Sequence, residues 1–266
     1  MGDFTRWQIG NVRITKVYET EVHWPWRALV PDVTPELLEQ TPWMRPHFVD
    51  DAGKMILSMH ALVVESQGRT IVVDTCIGND KVRPTRGFNG LQTDFLGRLA
   101  AAGFPADAVD TVFCTHLHVD HVGWNTKLQD GRWVPTFPNA KYVFSRADRD
   151  YFDPARGEGG KQEKHALVFN DSVLPILEAK QDLVIDGAYE LGDGLTIEPA
   201  PGHSPGHVVI KLASRGAEGL FVGDVMHHPM QIYEPGWSSA FCFDAQQARV
   251  SRRRVLEHAC ARGSVL

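Results

Sequence analysis

The sequence predicts a layered α/β protein in which helices cover the outer faces of two β-sheets. Short runs rich in β-branched residues recur early and late in the chain, and helical segments lie between them. No low-complexity tract or Ser/Pro-rich linker divides the 266 residues, a length that suffices for one large domain with its own core. We therefore expect residues 1–266 to form a single domain.

The first half of the chain contains four predicted strands and one predicted helix. The strand pattern covers residues 12–22, 60–66, 69–75 and 109–115. The stretch "LQTDFLGRLAAAG", residues 91–103, has helical periodicity and ends at Gly103, a residue typical of a helix C-cap. Residues 24–55 are irregular and rich in Pro and Trp. They are too long for a simple connection, so we expect them to help build a site.

The second half repeats the pattern of strands and helices. A strand is predicted over "KYVFS", residues 141–145, and a helical region within residues 161–180. Further strands are predicted near residues 194–200, 207–213 and 219–223, and a closing helix at about 245–261. Strands and helices that alternate in this way are typical of two sheets with helices outside them.

Charge and composition exclude several classes of protein. A net charge of −6 and a pI near 6.0 disfavour a nucleic-acid partner, and the densest basic run, residues 251–258, is predicted to be the solvated face of a helix. No apolar run approaches the roughly 18 residues of a membrane span, and the start lacks a signal-peptide pattern. The four cysteines form no CxxC pair, so we expect free thiols in a cytoplasmic protein.

Four polar side chains lie within six positions of "THLHVDHVGWN": His116, His118, Asp120 and His121. Side chains two apart share one side of an extended segment, so the first three converge, and Gly123 permits the turn that would bring His121 to them. Burying so many polar groups without a partner is expensive. The cluster predicts ligands for two neighbouring ions, of which zinc is expected first and manganese, iron or cobalt are alternatives.

A metal site needs more ligands than one loop supplies, and two later segments provide candidates. "PAPGHSPGHVV" places His203 in a Pro/Gly turn just after a strand, and "LFVGDVMHH" places Asp224 just after another. A carboxylate between two cations can bridge them. His207, at the start of the next strand, is predicted to be either structural or a hydrogen-bonding residue of the pocket.

These three motifs together resemble those of the metallo-β-lactamase superfamily. The resemblance covers nearly the whole chain and implies an αββα sandwich. It implies that His116, His118 and His203 bind one metal ion and that Asp120 and His121 bind a second, with Asp224 as the bridge. It also implies that Asp74 supports the ligand loop without binding metal.

One ligand of the family pattern has no counterpart in this sequence. The family supplies a further histidine to the second metal after its last helix, whereas this sequence ends at "CARGSVL". We expect that the C-terminal strand and last ligand loop are lacking, which predicts a weak second site. His227, His228 and His258 are the alternatives that could replace the missing ligand.

The resemblance implies a hydrolase in which a metal-bridging hydroxide attacks a carbonyl and Asp120 relays a proton. No G-x-S-x-G nucleophile motif is present, and Cys114 is predicted to be a packed strand residue. Aromatic and Met side chains of residues 24–59 and 226–241 predict an apolar small-molecule substrate, with a lactone or carboxylic ester first. Phosphotriester hydrolysis, glyoxalase II-type thioester hydrolysis and a non-enzymatic metal-binding module are the alternatives. A homodimer is an alternative to a monomer.

Overall fold

The computed structural model describes residues 4–192 and 194–266. Its strands are β1 (Arg6–Ile9), β2 (Val12–Trp24), β3 (Met55–Ser66), β4 (Arg69–Val73), β5 (Thr111–Phe113), β6 (Thr126–Gln129), β7 (Arg132–Pro135), β8 (Lys141–Ser145), β9 (Asp182–Ile185), β10 (Tyr189–Gly192), β11 (Leu195–Pro199), β12 (Val208–Ser214) and β13 (Ala217–Phe221). Its α-helices are α1 (Trp26–Leu29), α2 (Pro35–Gln40), α3 (Phe95–Ala101), α4 (Arg146–Phe152), α5 (Glu163–Ser172), α6 (Leu174–Glu178), α7 (Met230–Tyr233) and α8 (Ala245–Arg262).

The strands form two main sheets and a separate hairpin. The larger sheet has seven strands in the order β1-β2-β3-β4-β5-β8-β9, and the smaller has four in the order β10-β11-β12-β13. Strands β1 to β4 pair antiparallel, whereas β4, β5, β8 and β9 pair parallel. The hairpin consists of β6 and β7.

Three hydrophobic clusters stack the layers. Between the two sheets, Val73 and Phe113 of the larger sheet join Ile210 of the smaller one in one buried cluster. The outer face of the larger sheet packs against α3 and α5, and the outer face of the smaller sheet packs against α8. Side chains of a strand alternate between the two faces of its sheet, so each sheet has two faces to bury. The three clusters cover both faces of each sheet. The order helix, sheet, sheet, helix confirms the expected αββα sandwich.

The ends of four strands meet at one edge of the sandwich. Strand β4 leads into Asp74, and β5 leads into the loop with the three histidines. In the smaller sheet, β11 and β13 lead into the loops that carry His203 and Asp224. The strands therefore deliver every candidate ligand loop to one edge of the molecule.

Gly123 allows two of these loops to touch. A Cβ atom at this position would lie 1.8 Å from the carbonyl oxygen of Ile77, and the Gly123 amide donates to the Cys76 carbonyl at 2.8 Å. The sequence predicts Gly123 as a turn residue. The structure shows that its missing side chain also lets the histidine loop pack on the loop after β4.

The early irregular segment differs from its prediction because it is partly helical. Residues 24–55 contain α1 and α2, and Leu29, Met44 and Met55 pack in a small cluster with Met230. Strand β3 begins at Met55, five residues before the predicted 60–66, and pairs with the far end of β2. The segment is therefore packed against the rest of the protein and is not an irregular connection.

Several short elements have no counterpart in the sequence prediction. Apart from α1 and α2, the unpredicted strands and α-helices are β1, the β6–β7 hairpin, α4, β9, β10 and α7. The hairpin turns at Asp130 and Gly131, both with positive φ, and this Asp-Gly pair is the local sequence signal for the turn. The predicted helical region 161–180 is two helices, because Pro175 lies at the first turn of α6.

The basic run on α8 is only partly a solvated face. Arg253 and Arg254 are exposed, but Arg252 is fully buried. Its Nε donates to the Val225 carbonyl at 2.8 Å, and its Nη1 donates to the Pro235 carbonyl at 2.9 Å. The prediction of a solvated face is wrong for this residue, which ties the segment after Asp224 to α8.

All four cysteines carry free thiols, as predicted, and Cys114 is buried in a core cluster. Within the described part of the chain, no helix combines the length and the apolar character needed to cross a bilayer.

Lys81 anchors the β6–β7 hairpin from inside the molecule. Its side chain is fully buried, and its Nζ donates to Thr126 Oγ1 at 2.6 Å and lies 3.7 Å from the centre of the Trp133 ring. Nζ also lies 3.5 Å from a carboxylate oxygen of Asp171, which Arg83 binds with two nitrogens. Burial lowers the pKa of Lys81 to about 7, although the Asp171 carboxylate opposes the shift.

We expect the Lys81→Met variant to change how stability depends on pH. The folded protein holds the Lys81 proton only below about pH 7, whereas the unfolded chain holds it up to about pH 10.4. The free energy of unfolding of the wild type, measured relative to the variant, should therefore rise with pH in this window by up to about 1.4 kcal/mol per unit. Urea unfolding from pH 6.5 to 9.5 checks this. The exposed Lys54→Met variant is the control, and a Lys81→Met comparison that stays flat over this pH range would refute the shift.

Candidate metal centre

The structure brings all six predicted ligand residues into one cluster. His118 Nδ1 lies 3.0 Å from His116 Nε2 and 2.7 Å from His203 Nε2. The Asp224 carboxylate approaches His203 Nε2 at 3.2 Å through Oδ2 and His121 Nε2 at 3.4 Å through Oδ1. Asp120 Oδ2 lies 3.8 Å from His121 Nε2. Residues from three separate loops therefore point their ligand atoms at one small volume.

Burial determines the charge of three imidazoles in this cluster, those of His116, His118 and His203. Burial lowers the pKa of His118 to about 3 and holds the pKa values of His116 and His203 well below their usual range. Neutral imidazoles keep a free lone pair, which a metal ion requires. These three side chains therefore present metal-binding nitrogens at neutral pH.

The pKa values of the two carboxylates, Asp120 and Asp224, are shifted in opposite directions. Burial alone would raise the pKa of Asp224, but the imidazoles of His227, His121 and His203 keep it well below its usual value. Burial raises the pKa of Asp120 more than His121 lowers it. Asp224 is therefore the charged centre of the cluster, and Asp120 is the carboxyl that holds a proton more readily.

The donor set fits divalent cations. Within the described residues, three groups of ligand atoms lie within 4.8 Å of one another: His116 with His118 and His203, His116 with His121 and Asp224, and His203 with Asp224 and His227. Imidazole nitrogens and carboxylate oxygens are the ligands that zinc and its first-row neighbours take in proteins.

Comparison with known proteins gives the family. A profile of the metallo-beta-lactamase superfamily matches residues 58–258 of the chain. The chain belongs to this superfamily. Family membership and the donor cluster together support divalent-metal binding at this edge of the sandwich.

Individual relatives of this metallo-beta-lactamase domain are distant. An N-acyl homoserine lactonase from Bacillus thuringiensis is 26% identical over 168 residues, which is 58% of this chain and 58% of that protein. The lactonase AttM from Agrobacterium fabrum is 32% identical over 114 residues, which is 42% of this chain and 39% of that protein. The match thus spans little more than half the length of the first of these curated relatives, and less of the second.

Solved structures resemble the whole metallo-beta-lactamase domain. Hydrolase AbOPH, of the β-lactamase superfamily, superposes with a TM-score of 0.80 at 22% identity over 99% of this chain and 88% of that one. AidC, described as a dizinc quorum-quenching lactonase, superposes with a TM-score of 0.78 at 21% identity over 97% of this chain and 87% of that one. At these identities the likeness shows the fold.

Asp74 supports the histidine loop as expected. Its Oδ1 accepts from the Thr115 amide at 2.8 Å, and its Oδ2 accepts from the Thr115 hydroxyl and from His121 Nδ1, both at 2.8 Å. His121 Nδ1 donates a hydrogen bond to Asp74, and this bond keeps Nε2 of the same ring directed at the cluster.

Asp148 on α4 ties two ligand loops together, and the sequence analysis missed it. It is fully buried and accepts from the Leu117 amide at 3.2 Å, between the first two histidines. It also accepts from the Ser204 hydroxyl at 2.8 Å and the Gly206 amide at 2.5 Å, just after His203. No local pattern marks this role, because the bonded residues lie 31 to 58 positions away.

His207 holds the backbone of Asp224. Its Nε2 accepts from the Asp224 amide at 3.0 Å, and burial lowers its pKa to about 3. The sequence left a structural and a pocket role open. The structure places His207 fully buried under the ligand loop, in the structural role.

The three alternatives for the missing ligand separate clearly. His258 lies away from the cluster and contacts Glu218 Oε1 at 2.7 Å. His228 contacts the Phe48 carbonyl through Nε2 at 2.8 Å, and its Nδ1 accepts from the Met230 amide at 3.2 Å. Of the three, His227 is the one whose ring joins the donor cluster. The absence of the last ligand loop itself stays a prediction.

An apolar cavity opens onto the donors. Its volume is about 470 Å³, and its lining includes His118, Asp120, His203 and Asp224. Its apolar walls include Trp24, Met59, Phe88, Val168, Phe241 and Phe243. A second cleft, of about 770 Å³, reaches Asp120, His121 and Asp224. Trp24, Met59 and Phe241 of the predicted wall line this cavity, whereas Met55 and Met230, also predicted there, pack in the core.

We expect the Asp148→Ala variant to loosen both ligand loops. It leaves the Leu117 amide, the Ser204 hydroxyl and the Gly206 amide without their acceptor. Loss of such a supporting carboxylate typically weakens metal affinity about 10- to 100-fold. Titration of the chelator-stripped protein with Zn²⁺ and a competing indicator measures this. Asp150→Ala is the control, because this half-buried carboxylate of the same helix pairs with Arg149 and Arg156 and not with the ligand loops. Equal affinities of the two variants would contradict the role of Asp148.

Proposed function

We propose that the protein is a zinc-dependent hydrolase that opens lactones or carboxylic esters of apolar small molecules. The observation that carries this proposal is the position of the His/Asp cluster at the floor of an apolar cavity. Polar groups that converge at one end of an apolar pocket are typical of small-molecule active sites. The curated relatives are N-acyl homoserine lactonases and AidC is described as a lactonase, which favours a lactone with an acyl chain as the first substrate to test.

The proposal assigns a role to each donor. His116, His118 and His203 would hold one divalent ion, Asp120 and His121 would hold a second, and Asp224 would lie between them. Two divalent cations at such a site supply Lewis-acid polarisation of the substrate carbonyl and lower the pKa of water. The second site offers fewer imidazoles within the described residues, so we infer that its ion binds more weakly.

The residues of the chain prepare the substrate and move the proton. The aromatic walls exclude water and hold the apolar part of the substrate, so its carbonyl is left facing the donors. Asp120 lines the same cavity, and burial raises the pKa of its carboxyl. It is therefore suited to take a proton from water and give it to the leaving oxygen, as general acid–base catalysis requires.

The substrate class separates this proposal from its alternatives. A panel of an acyl homoserine lactone, an aryl ester, a phosphotriester and a glutathione thioester should show the highest kcat/KM for the lactone or the ester. Preference for the phosphotriester or the thioester would move the assignment to that chemistry. A metal-loaded protein that turns over none of the four compounds would instead be a metal-binding module. The cytoplasmic location and the homodimer alternative stay predictions.

We expect the His118→Ala variant to lose metal and turnover together. His118 lies between the nitrogens of His116 and His203, so its loss removes the central donor of this triad. Metal content by elemental analysis and lactone turnover should fall in parallel. His258→Gln removes a histidine outside the cluster and should change neither quantity. Full metal content in His118→Ala would remove this residue from the proposed ligand set.

We expect the Phe241→Ala variant to weaken binding of long-chain substrates. Phe241 lines the cavity and packs edge-on against Trp24 with ring centroids 5.9 Å apart. It is half exposed, so its contact is worth about 1 kcal/mol, or about fivefold in KM. Steady-state kinetics with short- and long-chain lactones should show the rise only for the long chain. Phe48→Ala, in the other cleft, is the control. A KM change that is equal for both chain lengths would contradict the assignment.

A further inference from the structure

His227 is the residue that extends the donor cluster beyond the expected ligand set. Its Nε2 lies 3.2 Å from Asp224 Oδ2, and its ring centroid lies 4.6 Å from that of His203. His203 Nε2 lies at the same distance, 3.2 Å, from the same carboxylate oxygen. The two imidazoles therefore approach one oxygen.

The ring nitrogens of His227 are buried without hydrogen bonds. Its side chain is 7% exposed, and neither Nδ1 nor Nε2 has a hydrogen-bond partner among the described residues. Nε2 is close to the Asp224 carboxylate but not hydrogen-bonded to it. A buried polar atom without a partner is costly and needs an explanation. The neighbouring His228 differs, because both its ring nitrogens have backbone partners.

The backbone of His227 is fixed by a buried side chain. The Gln231 amide oxygen accepts from the His227 amide at 2.7 Å, and the Gln231 nitrogen donates to the Trp237 carbonyl at 3.1 Å. Gln231 is itself fully buried. The position of the ring beside Asp224 is therefore built into the fold.

We propose that His227 is a ligand of the same divalent cation as His203 and Asp224. Neighbouring ligands about 2.0–2.2 Å from one zinc ion that takes five ligands are about 90–120° apart, and so lie roughly 3.0–3.7 Å from one another. The observed spacings of 3.2 Å between Asp224 Oδ2 and each of the two imidazole nitrogens fall in that range. A cation at this point would also give Nε2 of His227 the partner that it lacks.

The inference rests on the metal-dependent function proposed above and adds a fifth protein donor to it. His116 and His118 lie on the same side of Asp224, because His116 Nε2 is 3.8 Å from Oδ2 and 3.0 Å from His118 Nδ1. His121 approaches the other oxygen, Oδ1. His227 thus adds a donor on the Oδ2 side of Asp224, whereas His121 approaches Oδ1.

Cobalt(II) substitution tests the ligand directly. The visible bands of Co²⁺ become more intense as its coordination number falls, so loss of one ligand is seen without any assay of turnover. The chelator-stripped wild type, His227→Ala and His228→Gln are titrated with Co²⁺, and the affinity of the first equivalent is measured with a competing chelator. His228→Gln keeps an N–H donor for the Phe48 carbonyl and serves as the matched control. Circular dichroism and thermal unfolding confirm that each variant folds.

We expect His227→Ala to bind its first Co²⁺ at least about 10-fold more weakly, since even residues that only orient ligands typically contribute that much. Its bands should differ from those of the wild type, and added imidazole should restore the wild-type bands. His228→Gln should match the wild type. Titrations and spectra of His227→Ala that superimpose on the wild type would overturn the inference. Weaker binding with unchanged bands and no imidazole rescue would also overturn it, because His227 would then act only by positioning Asp224.

A wild type that binds no Co²⁺ would instead be a failure of the proposed metal-dependent function. The same titration of the wild type therefore separates that failure from a failure at His227 alone.

Discussion

The structure depends on the burial of many polar side chains at one edge of the sandwich. Five imidazoles and two carboxylates share the space between the loops after β5, β11 and β13. Desolvation lowers the pKa values of His116, His118 and His203, so their imidazoles are neutral and each keeps an unprotonated nitrogen lone pair. Such an arrangement is expensive for a protein that has nothing to bind, because buried polar groups need partners. The burial that costs stability is thus the feature that prepares the donors for a cation.

Each ligand loop is held by a polar side chain outside the ligand set. Asp74 holds the end of β5 and His121, and Asp148 joins the histidine loop to the loop of His203. Two residues hold the segment around Asp224: His207 accepts from the Asp224 amide, and Arg252 on α8 donates to the Val225 carbonyl. These contacts reach across the chain, so the ligand positions depend on the assembled sandwich and not on the loops themselves.

The sequence predicted the parts of the protein that local chemistry determines. Runs of β-branched residues marked most strands of both sheets, and the spacing of His116, His118 and Asp120 marked the donor loop. Asp148 escaped because its partners are far away in sequence and an Asp in a short helix has no distinguishing pattern. Arg252 was read as a surface charge for the same reason, since its carbonyl partners lie 15 to 27 residues earlier in the chain.

The apolar cavity and the donor cluster meet at His118, which belongs to both. The His118 ring packs against Phe152 at 5.4 Å on one side and approaches the nitrogens of His116 and His203 on the other. An amphipathic molecule that enters the cavity meets hydrocarbon along the walls and finds polar partners at the floor. In the function proposed above, the apolar chain of the substrate would pack on the walls while its polar group faces the donors. Because a group in an apolar surrounding experiences stronger electrostatic interactions than in water, the same walls also strengthen whatever charge stabilisation the floor provides.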